Sequence, residues 1–117
     1  MLAVGGYLLH ELSDQSLRMA TGFSGGLGDT MEELCGALTG GVMVIGALFG
    51  RVNLDEDHQP AIRLAEQYRS RFLSHFGHTQ CAQLRETVVG QPDGLPSCAL
   101  LVESAAKTLL TLLSEAT

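Results

Sequence analysis

Between Leu34 and Phe49 the chain carries no charge, and its small residues recur four apart, as Gly36 with Gly40, Ala37 with Gly41 and Gly46 with Gly50. Small residues at that spacing line one helix face and let another backbone come close, so the run predicts a central core helix. Gly36, Gly40 and Gly46 are expected to be buried against neighbours. The run is shorter than the roughly 20 residues of a bilayer span and is bracketed by Glu32, Glu33 and Arg51, which favours a buried helix over a membrane one.

The flanking patterns predict further helices. Leu8, Leu9, Leu12, Leu17 and Met19, interrupted by Ser13-Asp14, read as two short helical pieces joined by a turn. A glycine-rich connector follows at residues 22–28. Asp29 and Thr30 then stand ahead of Glu32 and Glu33 in a capping-box arrangement, which starts the central helix there and puts Cys35 about one turn inside it. Downstream, Asp55, Glu56 and Asp57 suit a helix N-terminus and Pro60 its first turn. Ile62, Ala65, Tyr68, Phe72 and Phe76 form an apolar stripe that Gly77 ends. Thr79 reads as the cap of a short helix to about Val89, and residues 90–96 as a loop. Ser97 caps the last helix, with Leu101, Ala105, Leu109 and Leu112 toward the core. No strand pattern and no repeat is present.

Composition narrows the class. A length of 117 residues suits one domain with a real core. Aromatics at 5% with no Trp leave that core to aliphatic residues, which suits helices. A formal charge of −6 argues against a nucleic-acid surface, and the local enrichment of Arg63, Arg69 and Arg71 reads as a solvated helix face. Met1–Val4 gives way at once to Gly5 and Gly6 with no basic segment ahead, so no secretory signal is expected and the location is read as cytoplasmic. Three cysteines without a CxxC pair do not make a secreted disulfide framework, and reduced thiols are the expected resting state.

Those cysteines carry the chemistry. The thiolate is the reactive form, and a helix N-terminus favours it. Under a Ser97 cap Cys98 is the first helical residue, and under a Thr79 cap Cys81 lies in the first turn. A free Cys is also an ordinary small buried hydrophobe, so packing alone is the competing explanation. His75, His78 and Cys81, three apart, suit soft-metal ligation or plain exposed polarity. The glycine-rich segment suits anion binding or tight packing, but no strand precedes it and no GK[ST] ends it, which disfavours nucleotides. No CxxCH motif for haem attachment occurs, and no Ser/His/Asp set, paired-carboxylate site or metalloprotease motif supports hydrolysis. His10 and His58 have no supporting context.

The segment Gly22-Phe23-Ser24-Gly25-Gly26-Leu27-Gly28, followed by Cys35-Gly36-Ala37-Leu38-Thr39-Gly40, resembles the redox-active C_GCAxxG_C_C family, and the resemblance runs through nearly the whole chain. It implies that Cys35 matches the central motif cysteine, Cys81 the next, ahead of Leu84, and Cys98 the last. Relatives carry another cysteine just ahead of the segment matching Met1 to Leu9. This chain has none, either through loss of the start or as a variant.

The resulting expectation is all-α: residues 1–117 form a single-domain bundle of about five helices around a Gly-rich apolar central helix, paired as a homodimer. Cys35, Cys81 and Cys98 converge on one cleft for thiol–disulfide exchange or thiol-based sensing. One alternative is a metal or iron–sulfur centre held by Cys35, Cys81, Cys98 and His78. The other is a small-ligand or interaction module in which Gly25, Gly26, Gly28 and Gly36 do the binding and the thiols are incidental; a pocket of Leu, Met and Phe without cysteine would favour it.

Overall fold

The computed structural model describes residues 12–116, and among them the chain is helical with no strand. The helices are α1 (Asp14–Ala20), α2 (Gly36–Phe49), α3 (Gln59–Phe76), α4 (Cys81–Thr87) and α5 (Cys98–Ala116), with a 3-10 turn at Thr21–Phe23 after α1. An all-α bundle was the expectation, and it holds. The helical piece inferred from Leu8 and Leu9, the apolar start, His10 and the front segment of the family comparison all lie outside the described residues. Ser13, read as part of an interruption, caps α1 by accepting the Ser16 N–H at 3.0 Å.

Helices α2, α3 and α5 pack together around Val44, Ile45, Tyr68, Phe72, Leu101, Ala105, Leu109 and Leu112, all of them buried. Each large side chain removed from water contributes about 1.5–3 kcal/mol, so this cluster is the main source of cohesion. The close approach that small residues allow falls at Gly41. A Cβ there would stand 2.7 Å from Tyr68 Cζ, so the ring occupies the space of the missing side chain. The Tyr68 hydroxyl then donates to the Ala37 carbonyl at 3.0 Å, one turn back on α2. Tyr68, Phe72 and Phe76 continue edge to face along α3, with centroids 6.2 and 4.7 Å apart.

Several expectations need correction. The central helix begins at Gly36, not after Thr30, because Asp29 and Met31 have φ of 57° and 63°, which no right-handed helix accepts. Gly46 is exposed with nothing near its missing Cβ, and Val42 and Leu48 are exposed too, so α2 is buried on one side only. Ile62 is 52% exposed; the inward line of α3 runs through Ala61, Leu64, Tyr68, Phe72 and Phe76, and Ile62 lies about 100° of helix rotation from Ala61. Gln80, not Thr79, caps α4, which ends at Thr87. His58 caps α3, with Pro60 in its first turn and Gly77 in the left-handed conformation at its end, as the pattern required. No helix of the described residues is long and apolar enough to cross a membrane.

The two glycines of α2 separate packing from propensity. Gly41→Ala should destabilise by about 1–3 kcal/mol through overpacking on Tyr68. Gly46→Ala should be neutral or stabilising by up to about 1 kcal/mol, since Ala is the better helix former and the space is open. Thermal denaturation of both variants decides it, and a Gly41→Ala melting point at or above that of the parent would refute close packing there.

Candidate functional site

The site is assembled from a loop and a short backbone pairing. From Gly25 to Asp29 every residue has positive φ, including Leu27 at 72° and Asp29 at 57°, and Met31 adds another at 63°. Each of the three non-glycine residues costs roughly 1–2 kcal/mol in that region. Hydrogen bonds hold the loop: Gly28 N–H to Gly22 C=O and Met31 N–H to Gly25 C=O, both at 2.8 Å, and Asp29 N–H to Ser24 C=O at 3.0 Å. The Thr30 hydroxyl donates to the Gly26 and Leu27 carbonyls at 2.9 Å, closing the loop where a helix cap was expected.

The loop delivers the chain to an antiparallel pairing with the residues ahead of α4. Cys35 N–H donates to Thr79 C=O at 2.8 Å and Cys81 N–H to Glu33 C=O at 2.9 Å, around the Leu34–Gln80 bridge. Extended side chains alternate, so Cys35 and Cys81 share the face opposite Leu34 and Gln80. Gly26 backs this face. A Cβ on it would stand 2.6 Å from Cys81 Cβ and 2.9 Å from Met31 Cα, and its φ of 72° is natural to glycine. Thus Cys35 is the cap residue of α2, not a residue one turn inside it, and Cys81 opens α4. Cys98 opens α5 under Ser97, whose Oγ accepts the Leu100 N–H at 3.4 Å.

All three thiols are free, and all three line one cavity of about 260 Å³. Its remaining wall includes Gly25 and Gly36, the apolar Leu84, Val89, Leu101 and Val102, and Arg85. Cys81 is buried at 6% exposure, Cys35 is half-buried and Cys98 is exposed. Burial pushes the Cys35 thiol above its ordinary range; the amides of Ala37 and Leu38 pull against that rise, and negative charge on Cys81 or Cys98 adds to it. The Tyr68 phenol is likewise raised, first by burial and then by Cys35.

The other candidates separate. Of the four glycines read as ligand contacts, Gly25 and Gly36 line the cavity and Gly26 packs behind Cys81. Gly28 is exposed, with nothing near its missing Cβ. His75 turns to α5, with Nε2 3.2 Å from Ser104 Oγ and its ring edge-on to Phe76. Among the described residues no three His, Cys, Asp or Glu side chains are grouped as a metal ion requires. Arg85 was missed by sequence reading, although its place four residues after Cys81 puts both on one face of α4. A second, larger hollow of about 570 Å³ lies between α1 and α2, lined by Leu17, Phe23 and Met43 with the hydroxyls of Thr21, Ser24 and Thr39, and no cysteine reaches it.

A profile of the family described as "Putative redox-active protein (C_GCAxxG_C_C)" matches residues 2–112, and the chain belongs to that family. No curated protein and no solved structure matches it.

Because burial favours the neutral thiol, alkylation of Cys35 should have its midpoint above the ordinary value of about 8.5. The sign for stability follows from the same shift. The folded chain holds this proton more tightly than the unfolded one, so the contribution is complete below the unfolded value and is lost as pH rises through the folded one. Peptide-resolved alkylation across pH reads it directly, and a Cys35 midpoint at or below that of a free thiol would contradict the burial argument.

Proposed function

We propose that this C_GCAxxG_C_C protein carries out thiol–disulfide exchange through Cys98 and Cys35, with Cys81 as the enclosed third thiol. The observation that carries this reading is the meeting of three free cysteines, drawn from three separate chain segments, on one small cavity. Cys98 is the exposed thiol and therefore meets the substrate first. Its thiolate attacks one sulfur of a disulfide R–S–S–R; the S–S bond breaks, one thiol leaves as R–S⁻ and takes a proton, and a mixed disulfide remains on Cys98. The Cys35 thiolate then attacks the Cys98 sulfur, releasing the second R–SH. The substrate is reduced by two electrons and the protein is oxidised to a Cys35–Cys98 disulfide, which a second dithiol would reverse.

A second reading draws on the cysteine-free hollow of Leu17, Phe23 and Met43, whose size suits a small apolar ligand. It treats the thiols as packing residues.

We also propose that the chain pairs with a second copy. Val42 and Leu48 leave apolar surface on α2, and the exposed Ala47 beside Leu48 is small enough for another helix to pack there. Sedimentation velocity at micromolar concentration should resolve a dimer, and a single monomer boundary would end this part of the reading.

Exchange is tested by treating the reduced protein with a mild disulfide and mapping the products by mass spectrometry. The parent chain should lose two thiols and gain an internal Cys35–Cys98 bond. Cys35→Ser should accumulate a mixed disulfide on Cys98, and Cys98→Ser should slow the first step at least tenfold. Three thiols that persist in excess disulfide, or that are capped singly with no internal bond, would hand the case to the ligand-binding reading.

A further inference from the structure

We propose that Arg85 makes the thiol cavity selective for small anionic thiols and disulfides, so that the substrate of the exchange carries a carboxylate within reach of the guanidinium. This rests on the exchange reading and extends it to a substrate class. Arg85 lies one helical turn after Cys81 on α4 and lines the same cavity as Cys35, Cys81 and Cys98. Among the described residues it is uncommitted: the ion pairs there are Arg71 with Glu115 and Lys107 with Glu103, and no hydrogen bond from those residues holds the Arg85 side chain. Arg85 is exposed, so its guanidinium is open to solvent and to whatever enters the cavity that it lines.

Two features sharpen the inference. Apart from Ser24 and the three thiols, the side chains that line the cavity with Arg85 are apolar, among them Leu84, Val89, Leu101 and Val102, so a charge inside it is screened less than at an open surface. The chain as a whole carries −6, so its long-range field favours cationic ligands and opposes anionic ones. A preference for anions therefore needs a local source, either the Arg85 guanidinium or the N-terminal amides of α2, α4 and α5 that border the cavity, and substitution of Arg85 separates the two. About 260 Å³ also suits a small molecule better than a protein surface.

The test compares three disulfides on the intact chain: anionic dithiobis(2-nitrobenzoate), neutral dithiodipyridine and cationic cystamine. Rates are measured at low salt on the parent, Arg85→Gln and Arg85→Glu. The ratio of anionic to neutral rate should fall about three- to fivefold in Arg85→Gln, the range of one partly exposed ion pair, and further in Arg85→Glu. The ratio of cationic to neutral rate should move the opposite way, and high salt should compress both changes. Ratios that are the same in all three chains would overturn the role of Arg85 while leaving exchange intact. Thiols inert to all three reagents would overturn exchange itself, and this proposal with it.

Discussion

Two backbone hydrogen bonds hold Cys35 and Cys81 of the candidate thiol site in place: Cys35 N–H to Thr79 C=O, and Cys81 N–H to Glu33 C=O. Each is worth only about 0.5–1.5 kcal/mol in net stability, but their consequence is positional. In an extended pair a slip of one residue turns side chains to the opposite face, so this register alone keeps both sulfurs on the side of the cavity and Leu34 and Gln80 on the other. The same pairing sets where α2 and α4 begin. Gly26 protects the arrangement from behind, since any side chain there would occupy the volume of Cys81 and of the Met31 backbone. The loop that brings Gly26 into position carries Leu27, Asp29 and Met31 in the left-handed region, and that cost is offset by the hydrogen bonds that close it.

How much of this was legible depended on whether the deciding forces were local. Helices α3 and α5 were readable because their apolar stripes, Pro60, Gly77 and Ser97 act within a few residues, and the stripe of Leu101, Ala105, Leu109 and Leu112 is buried as the period required. The uncharged run of α2 was readable as a helix, though not its contact: spacing offered Gly36, Gly40, Gly41 and Gly46 as points of approach, and only the arrival of Tyr68 selects Gly41. The stretch from Asp29 to Cys35 was misread as a helix start. Asp29 and Thr30 carry the chemistry of a cap, but the loop uses the Thr30 hydroxyl as a donor to carbonyls behind it, and the chain then runs extended because Gln80 and Cys81 lie alongside. Partners 44 and 48 residues away in sequence, Thr79 for Cys35 and Cys81 for Glu33, leave no local signature, and the place of Cys35 followed from them.

For the site, residue type was a better guide than position. The three cysteines stood out by their reactivity, and Cys81 and Cys98 by their helix starts. Arg85 did not stand out, because a charge on a short amphipathic helix has a sufficient explanation in solubility. Its spacing from Cys81 gains meaning only once the cavity gives both residues the same neighbours.

The partial burial of Cys35 and the reaction proposed for it are in tension, since a thiol that ionises with difficulty is a poor nucleophile at neutral pH. The geometry contains a way out. Part of what opposes ionisation of Cys35 is negative charge on Cys81 and Cys98. In the proposed exchange, once Cys98 is joined to a substrate sulfur it can contribute no negative charge, so its share of that opposition is gone when Cys35 attacks, while the larger share, that of Cys81, remains. Burial is unchanged by this step, so the relief is partial, and the amides of Ala37 and Leu38 continue to favour the thiolate throughout. For the proposed exchange an order of events follows from exposure and charge together: the outer thiol reacts first, and its capture eases the ionisation of the inner one.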